Sequence, residues 1–333
     1  MNGTSARKIE IFAPFSAALD LTKLILFQPF DLGKWCVIGF AAFLSHLAGG
    51  GGGSSFNFRS PMGHNDWQWN VRSTTHDAFQ SASGLPGWAI PLGIFVGLIF
   101  LAILIVCLWV GSRGKFIFVD CVVRNRGRIT EPWHEFRHEG NSFFIYSLVV
   151  GFASLCVIVL LCLPIWLPLA MHGDVPSGAA FIISIAGVAL ILVVLGMALA
   201  LISSFMVPIM YRRRCGAAAA FSAALGLVTS HLGPVILYVL FIIVLWIAFS
   251  LLACLTTCLT CCITAIPYVG TVILLPFYVF FISYLLLFVR QFGEEYDVWA
   301  NVVPLEPAAP ATTLPPPPPI KPPSPPAAPP PQI

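Results

Sequence analysis

Residues 88–128 read WAIPLGIFVGLIFLAILIVCLWVGSRGKFIFVDCVVRNRGR, and this stretch decides the fold class. Its first 24 residues contain no Asp, Glu, Lys or Arg, whereas five Lys or Arg and one Asp follow within the next 17. A helix needs about 20 apolar residues to cross the hydrocarbon core of a membrane. The stretch therefore predicts a transmembrane helix that ends in a basic flank.

The whole chain has the composition of a membrane protein. Hydrophobic residues make up 58% and charged residues 9% of the sequence, whereas water-soluble domains carry about 25% charged residues. The mean hydropathy is +0.90. We predict an all-α, polytopic membrane fold whose six transmembrane helices cover residues 32–49, 88–111, 142–169, 178–202, 233–255 and 268–289.

The basic residues predict the orientation of these spans. Of the 17 Lys and Arg, only Arg59 and Arg72 lie in segments that the spans place on the opposite side from all the others. The positive-inside rule then places both termini in the cytoplasm and residues 50–87, 171–177 and 256–267 outside. We expect a multi-pass protein of a bacterial inner (plasma) membrane.

Three regions follow along the chain. Residues 1–31 form a cytoplasmic N-terminus with an amphipathic helix, and residues 32–298 form the six-helix membrane domain. Residues 299–333 form a Pro-rich cytoplasmic tail, which we expect to be disordered because such a composition cannot build a packed core.

A weak internal repeat is visible in the inner-face segments. The pentapeptide FSAAL occupies residues 15–19 and again residues 221–225, each time ahead of an outward-going span. Residues 131–139 form a third inner segment with the same placement. The chain therefore fits three copies of an inner-face helix, an outward helix and a returning helix. Chance identity in an Ala- and Leu-rich sequence is the alternative explanation.

One motif with catalytic chemistry is present. His134 to His138 spell HExxH, in which two His on one helical face bind zinc and the Glu, here Glu135, acts as general base. Glu294 is the candidate third ligand for zinc at His134 and His138. Pro132, the neighbouring charges and Gly140 argue against the helix that this motif requires. An amphipathic interfacial helix is the favoured interpretation.

A cysteine cluster is the second candidate for metal chemistry. Cys254, Cys258, Cys261 and Cys262 would lie on one face of a continuous helix. Thiolates bind zinc and copper, but small residues also line close contacts between membrane helices. We favour the packing role.

Several stretches resemble a known family. Phe30–Trp35, Phe116–Asp120, Pro132–Trp133 and Ile266–Gly270 are similar to segments of a family of uncharacterised prokaryotic multi-spanning membrane proteins, over about residues 10–298. The layout is also loosely similar to the membrane domain fused to some glycerophosphodiester phosphodiesterases. The resemblance implies an integral membrane protein without an assigned activity, and it supplies no functional residues.

We therefore predict a non-enzymatic membrane protein whose basic cytoplasmic face contacts membrane lipids or a protein partner, with no nucleic-acid partner. Asp120 is expected to orient some of the arginines by pairing. A carrier for a neutral or lipidic solute is one alternative, and a zinc metallopeptidase at His134–His138 is another. The residues assigned to the basic face are Arg113, Lys115, Arg124, Arg126, Arg128, Arg212, Arg213 and Arg214.

Overall fold

The structure is a computed structural model that describes residues 10–47, 88–172, 179–259 and 266–300. Within these ranges all repetitive secondary structure is helical, which confirms the all-α prediction. The loop at residues 50–87, the Pro-rich tail from residue 301 onwards, and Cys261 and Cys262 lie outside the described residues.

The described residues form ten α-helices and one 3₁₀ turn. Their bounds are α1 Ala13–Phe27, α2 Leu32–Leu47, α3 Ala89–Val123, α4 Thr130–Glu135, α5 Arg137–His172, α6 Ala179–Arg213, α7 Ala217–Ser230, α8 Leu232–Leu259, α9 Pro267–Ile273 and α10 Leu275–Arg290, with the 3₁₀ turn at Glu294–Tyr296.

Four of the described helices are long and apolar enough to cross a membrane, by length and composition. They contain the candidate spans Ile90–Val123 in α3, Arg137–Leu163 in α5, Ile183–Arg213 in α6 and Leu232–Leu259 in α8. Of the predicted first span, the structure describes the 16-residue helix α2, and residues 48 and 49 lie outside the described residues. The predicted sixth span is divided between α9 and α10, so neither reaches the length of the other four.

The division of the sixth span has a local cause. Leu274 has φ −88° and ψ 8°, which ends α9, and α10 begins at Leu275 with Pro276 at its start. Pro276 has no backbone N–H to bond to the Val272 carbonyl, and its ring would clash with that carbonyl in a continuous helix. The structure breaks the predicted span 268–289 at Leu274, whereas Pro267 begins α9.

Helix α3 is longer at its basic end than the sequence predicts. It continues past residue 111 to Val123, so Arg113, Lys115 and Asp120 lie on the helix and not in a loop. Tertiary packing explains the extension, because apolar side chains between the charges are buried. These buried side chains are Phe116, Ile117, Phe118, Val119, Val122 and Val123.

The packed core lies where α3, α6 and α10 meet. These three helices contact one another in pairs, and further helices pack on them: α2 and α4 on α3, α7 on α6, and α1, α2 and α9 on α10. Among the described residues, none covers the far half of α3, where Ile90 to Val106 have exposed apolar side chains throughout. The core therefore occupies one end of the long helices.

Helix α2 packs closely against α3 and α9 at glycine positions. A Cβ atom added at Gly114 would lie 2.6 Å from the backbone carbonyl carbon of Leu44, and one added at Gly39 would lie 2.8 Å from Val272 Cγ2. Small residues at such positions allow membrane helices to approach closely. By contrast, a Cβ atom at Gly97 would meet nothing within 4 Å.

We expect Gly114→Ala to lower the stability of the protein by roughly 1–3 kcal/mol, because the added methyl group forces the α2 backbone away from α3. Thermal unfolding in detergent measures the effect. Gly97→Ala on the same helix is the matched control and should leave the melting temperature unchanged or raised. Equal melting temperatures for the two variants would contradict the close approach of α2 and α3.

Candidate functional site

A buried carboxylate organises the basic end of α3. Asp120 is completely buried. Its Oδ1 lies 3.0 Å from Arg124 Nε and accepts a hydrogen bond from the Tyr211 hydroxyl at 3.0 Å. Its Oδ2 accepts bonds from Arg126 Nε and Nη2 at 3.1 and 3.0 Å. The expectation that Asp120 pairs with arginines of the basic face is confirmed.

The arginines around Asp120 also bind a second layer of carboxylates. Arg124 Nη2 donates to Glu135 Oε1 at 2.8 Å, and Arg214 binds the same oxygen. Arg126 Nη1 donates to Glu131 Oε2 at 2.5 Å. Charges from the end of α3, from α4 and from the end of α6 therefore join one network, which we call the Asp120 network.

The pKa values of the outer carboxylates reflect these contacts. Burial opposes ionisation of Glu135, but hydrogen bonds and positive charge from Arg214 and Arg124 hold its pKa below the ordinary value of 4.5. The hydrogen bond from Arg128 is the main cause that lowers the pKa of Glu131. Both groups are therefore carboxylates at neutral pH, as ion pairs with arginine require.

Aromatic rings join the Asp120 network to the core. The Phe136 ring is stacked on the Tyr211 ring, with centroids 4.9 Å apart. The Arg214 guanidinium makes a cation–π contact with Phe136, with its central carbon 3.9 Å from the ring centroid. Phe116 of α3 stacks with Phe136 at 6.1 Å. These contacts hold the α4–α5 junction between α3 and α6.

The HExxH motif does not lie on one continuous helix. His134 belongs to α4, which ends at Glu135, whereas His138 belongs to α5, which begins at Arg137. Phe136 lies between them with φ −100° and ψ 27°. The Glu135 carboxylate, which would serve as general base, is instead paired with three arginines, Arg124, Arg126 and Arg214. Zinc chemistry requires the two His one helical turn apart, and the break interrupts that turn.

The other candidate ligands are not gathered around the motif. Glu294 is exposed in the 3₁₀ turn that follows α10. Cys254 and Cys258 are exposed free thiols on α8. Among the described residues, no group of three or more His, Cys, Asp or Glu side chains is arranged to hold a metal ion.

The eight residues predicted for the basic face have different environments. Arg113 is buried, with 6% of its surface exposed, so it does not belong to an open face. Lys115 Nζ lies 4.7 Å from the Phe143 ring centroid. Arg212 Nε is buried without a hydrogen-bond partner. The remaining five pair with carboxylates; these are Arg124, Arg126, Arg128, Arg213 and Arg214.

Sequence reasoning missed two groups of residues that the structure brings together. Tyr211 on α6, which lies 91 positions further along the chain, donates a hydrogen bond to Asp120. Trp109 and Trp133 enclose Arg113, whose guanidinium carbon lies 4.3 and 5.1 Å from their ring centroids. The sequence signal that could have revealed this second group was the pair of tryptophans at the basic end of an apolar span, since tryptophan rings concentrate at membrane interfaces.

The Asp120 network is suited to holding helices together and not to proton transfer, because each of its carboxylates is engaged by arginine. Asp120→Asn should lower stability by roughly 3 kcal/mol, because two arginines lose their buried counter-charge. Chemical unfolding in detergent measures the change. Glu131→Gln, at a carboxylate with 47% side-chain exposure, is the control and should cost less than about 1 kcal/mol. Similar losses for both variants would contradict the central role of Asp120.

Comparison with known proteins gives one family match. The family described as a family of unknown function, DUF7544, matches residues 10–291, which include α1 to α10. No curated protein and no solved structure matches the chain. The resemblance to an uncharacterised family is thereby confirmed: the chain belongs to the family of unknown function DUF7544.

Proposed function

We propose that the protein is a non-enzymatic integral membrane protein whose cytoplasmic face contacts anionic lipid headgroups. The observation that carries this proposal is the position of exposed arginines at the ends of long helices whose remaining length is apolar and exposed. Arg128 and Arg213 have side-chain exposures of 68% and 33%, and they follow or end the spanning helices α3 and α6.

The exposed apolar lengths support a lipid environment. In the most apolar 18-residue windows of α3 and α5 no residue is buried, and in those of α6 and α8 the buried shares are 6% and 17%. Water would make such surfaces strongly unfavourable, at about 25 cal/mol per Å². Lipid chains cover them at no such cost.

Contacts between chain segments support six crossings. Lys34 Nζ donates to Asn125 Oδ1 at 2.6 Å, so α2 begins beside the end of α3. Arg213 and Glu295 form an ion pair of 2.7 Å, so α6 and α10 end on one side. If the four long helices cross the membrane, the start of α2 lies on the opposite side from the start of α3, and the end of α8 on the opposite side from the end of α10. The chain must therefore cross the membrane once more in each of these two intervals.

The same side of the bundle carries both ends of the membrane domain. Glu10 N donates to Gln291 Oε1 at 2.8 Å, and Gln291 Nε2 donates to the Glu10 carbonyl at 2.9 Å. This side holds the basic residues at the ends of α3 and α6, which the positive-inside rule assigns to the cytoplasm. These contacts support cytoplasmic placement of both ends.

The packing of the shorter helices supports the threefold repeat. In each case an inner-face helix packs on the returning helix of the unit before it, as α4 does on α3, α7 on α6 and α1 on α10. The sequence at the end of α3 resembles that at the end of α10: in both, Val-Arg is followed by a residue with a carboxamide side chain. Those carboxamides, Asn125 and Gln291, bind the start of α2 and the segment before α1.

The six-crossing topology predicts opposite sides for α1 and the loop that follows α2. In intact cells a membrane-impermeant maleimide should label Ser60→Cys and not Ser16→Cys, with the wild-type chain as the background for native cysteines. Labelling of both introduced cysteines from outside would contradict the six crossings and the cytoplasmic N-terminus.

The lipid-contacting face predicts a charge-dependent lipid preference. We expect the double variant Arg128→Gln/Arg213→Gln to lose about tenfold in its preference for phosphatidylglycerol over phosphatidylcholine, because each cation near an anionic surface contributes about 1 kcal/mol. Mass spectrometry of the lipids retained by the protein in mild detergent measures the preference.

The matched control keeps the charges in place. Arg128→Lys/Arg213→Lys should retain the wild-type preference, since lysine provides the same net charge without the planar guanidinium. An unchanged preference in the Gln variant would overturn the proposed function.

A further inference from the structure

Two arginines that lack a carboxylate partner lie at the α3–α5 contact. Arg113 on α3 and Arg137 at the first position of α5 have no carboxylate within ion-pair distance among the described residues, whereas Arg124, Arg126, Arg128, Arg213 and Arg214 each have one. Most arginines on this side are therefore paired with carboxylates, whereas the α3–α5 contact brings together two that are not.

The two uncompensated arginines lie close together. The Arg113 side chain packs on the backbone of Gly140, where an added Cβ atom would lie 2.7 Å from Arg113 Cγ. Arg113 Nη2 also donates to Asn141 Oδ1 at 2.9 Å. Arg137 lies three and four residues before these contacts, on the same side of α5. The positive charges of Arg113 and Arg137 consequently repel each other.

Within the described part of the chain, no carboxylate forms an ion pair with either arginine. Asn141 Oδ1 is a neutral acceptor, and it is already shared by Trp109 Nε1 and two nitrogens of Arg113. Glu139 is buried and lies 3.7 Å from Arg214. It is two residues from Arg137 and so points to nearly the opposite side of the helix. The N-terminus of α5 lies at Arg137, and the partial positive charge of its helix dipole adds to the positive potential there.

The surroundings of the pair match a membrane interface. Trp109 and Trp133 lie edge to face, with ring centroids 5.9 Å apart, and both adjoin the Arg113 guanidinium. From here outward the side chains of α3 and α5 become exposed and apolar, as at Val106 and Ile145 with 57% and 61% exposure. Tryptophan and arginine concentrate at the level of lipid headgroups.

We propose that Arg113 and Arg137, flanked by Trp109 and Trp133, form a binding site for the phosphate group of an anionic membrane lipid. The site rests on the proposed function, which it narrows to one place on the surface. Arg137 is exposed and contacts the phosphate directly, as guanidinium groups do by paired hydrogen bonds. Arg113 is buried and contributes its charge, while the tryptophans contact the lipid's interfacial region.

Arg137→Gln tests the site, because Arg137 is exposed and its replacement does not disturb the core. The full-length protein, purified in mild detergent from bilayers of phosphatidylglycerol and phosphatidylcholine, is assayed by native mass spectrometry. We expect Arg137→Gln to lose about tenfold in affinity for phosphatidylglycerol, as expected for one charge-assisted contact. Arg137→Lys should recover part of the loss.

Lys23→Gln is the matched control, since Lys23 is an exposed cation on α1 that already pairs with Asp20 at 3.7 Å. It should leave the affinity unchanged. Wild-type affinity in Arg137→Gln, or an equal loss in Lys23→Gln, would overturn the site. Tighter binding of inorganic phosphate than of the lipid would assign the site to free phosphate and overturn the lipid assignment.

The outcome separates the site from the function on which it rests. A loss of lipid preference in Arg128→Gln/Arg213→Gln together with wild-type affinity in Arg137→Gln overturns the site and leaves the proposed function standing. Retention of the preference in both variants overturns both proposals.

Discussion

The packed end of the long helices depends on one buried negative charge. Asp120 is inaccessible to solvent and engages Arg124, Arg126 and Tyr211. An isolated carboxylate in such a place would be strongly unfavourable, so its partners must stay in position. Those partners lie at the end of α3 and on α6, and they connect onward to α4 through Glu131 and Glu135. A single carboxylate thereby sets the relative placement of three helices.

On the basic side of the molecule, arginines that pair with carboxylates differ in role from arginines that do not. Arginines that meet carboxylates also hold helices together. Arg113 and Arg137 lack such partners among the described residues and lie beside two tryptophans. Surface charge inferred from a count of Lys and Arg is therefore a poor guide to where an anion binds. Which cations face carboxylates decides that question.

Local sequence patterns predicted which helices form more accurately than they predicted the residues at which those helices end. The charge-free stretches identified α3, α5, α6 and α8, because hydrophobic length is a property of consecutive residues. They did not reveal that α3 continues to Val123, since burial of Phe116 and Val119 against other helices supports that extension. The HExxH pattern likewise indicated one helix, whereas Phe136 packs between Arg214 and Tyr211 and interrupts it.

By itself, the sequence determined an all-helical, membrane-embedded class of protein with a basic bias at one end of its spans. Hydropathy and charge act at each position and need no knowledge of neighbours in space. Only the tertiary structure decided that Tyr211 donates to Asp120 and that Glu135 binds arginines instead of standing free as a base. It also decided that Arg113 is enclosed by tryptophans. Ion pairs and cation–π contacts act within a few ångströms, and helices distant in sequence supply both partners.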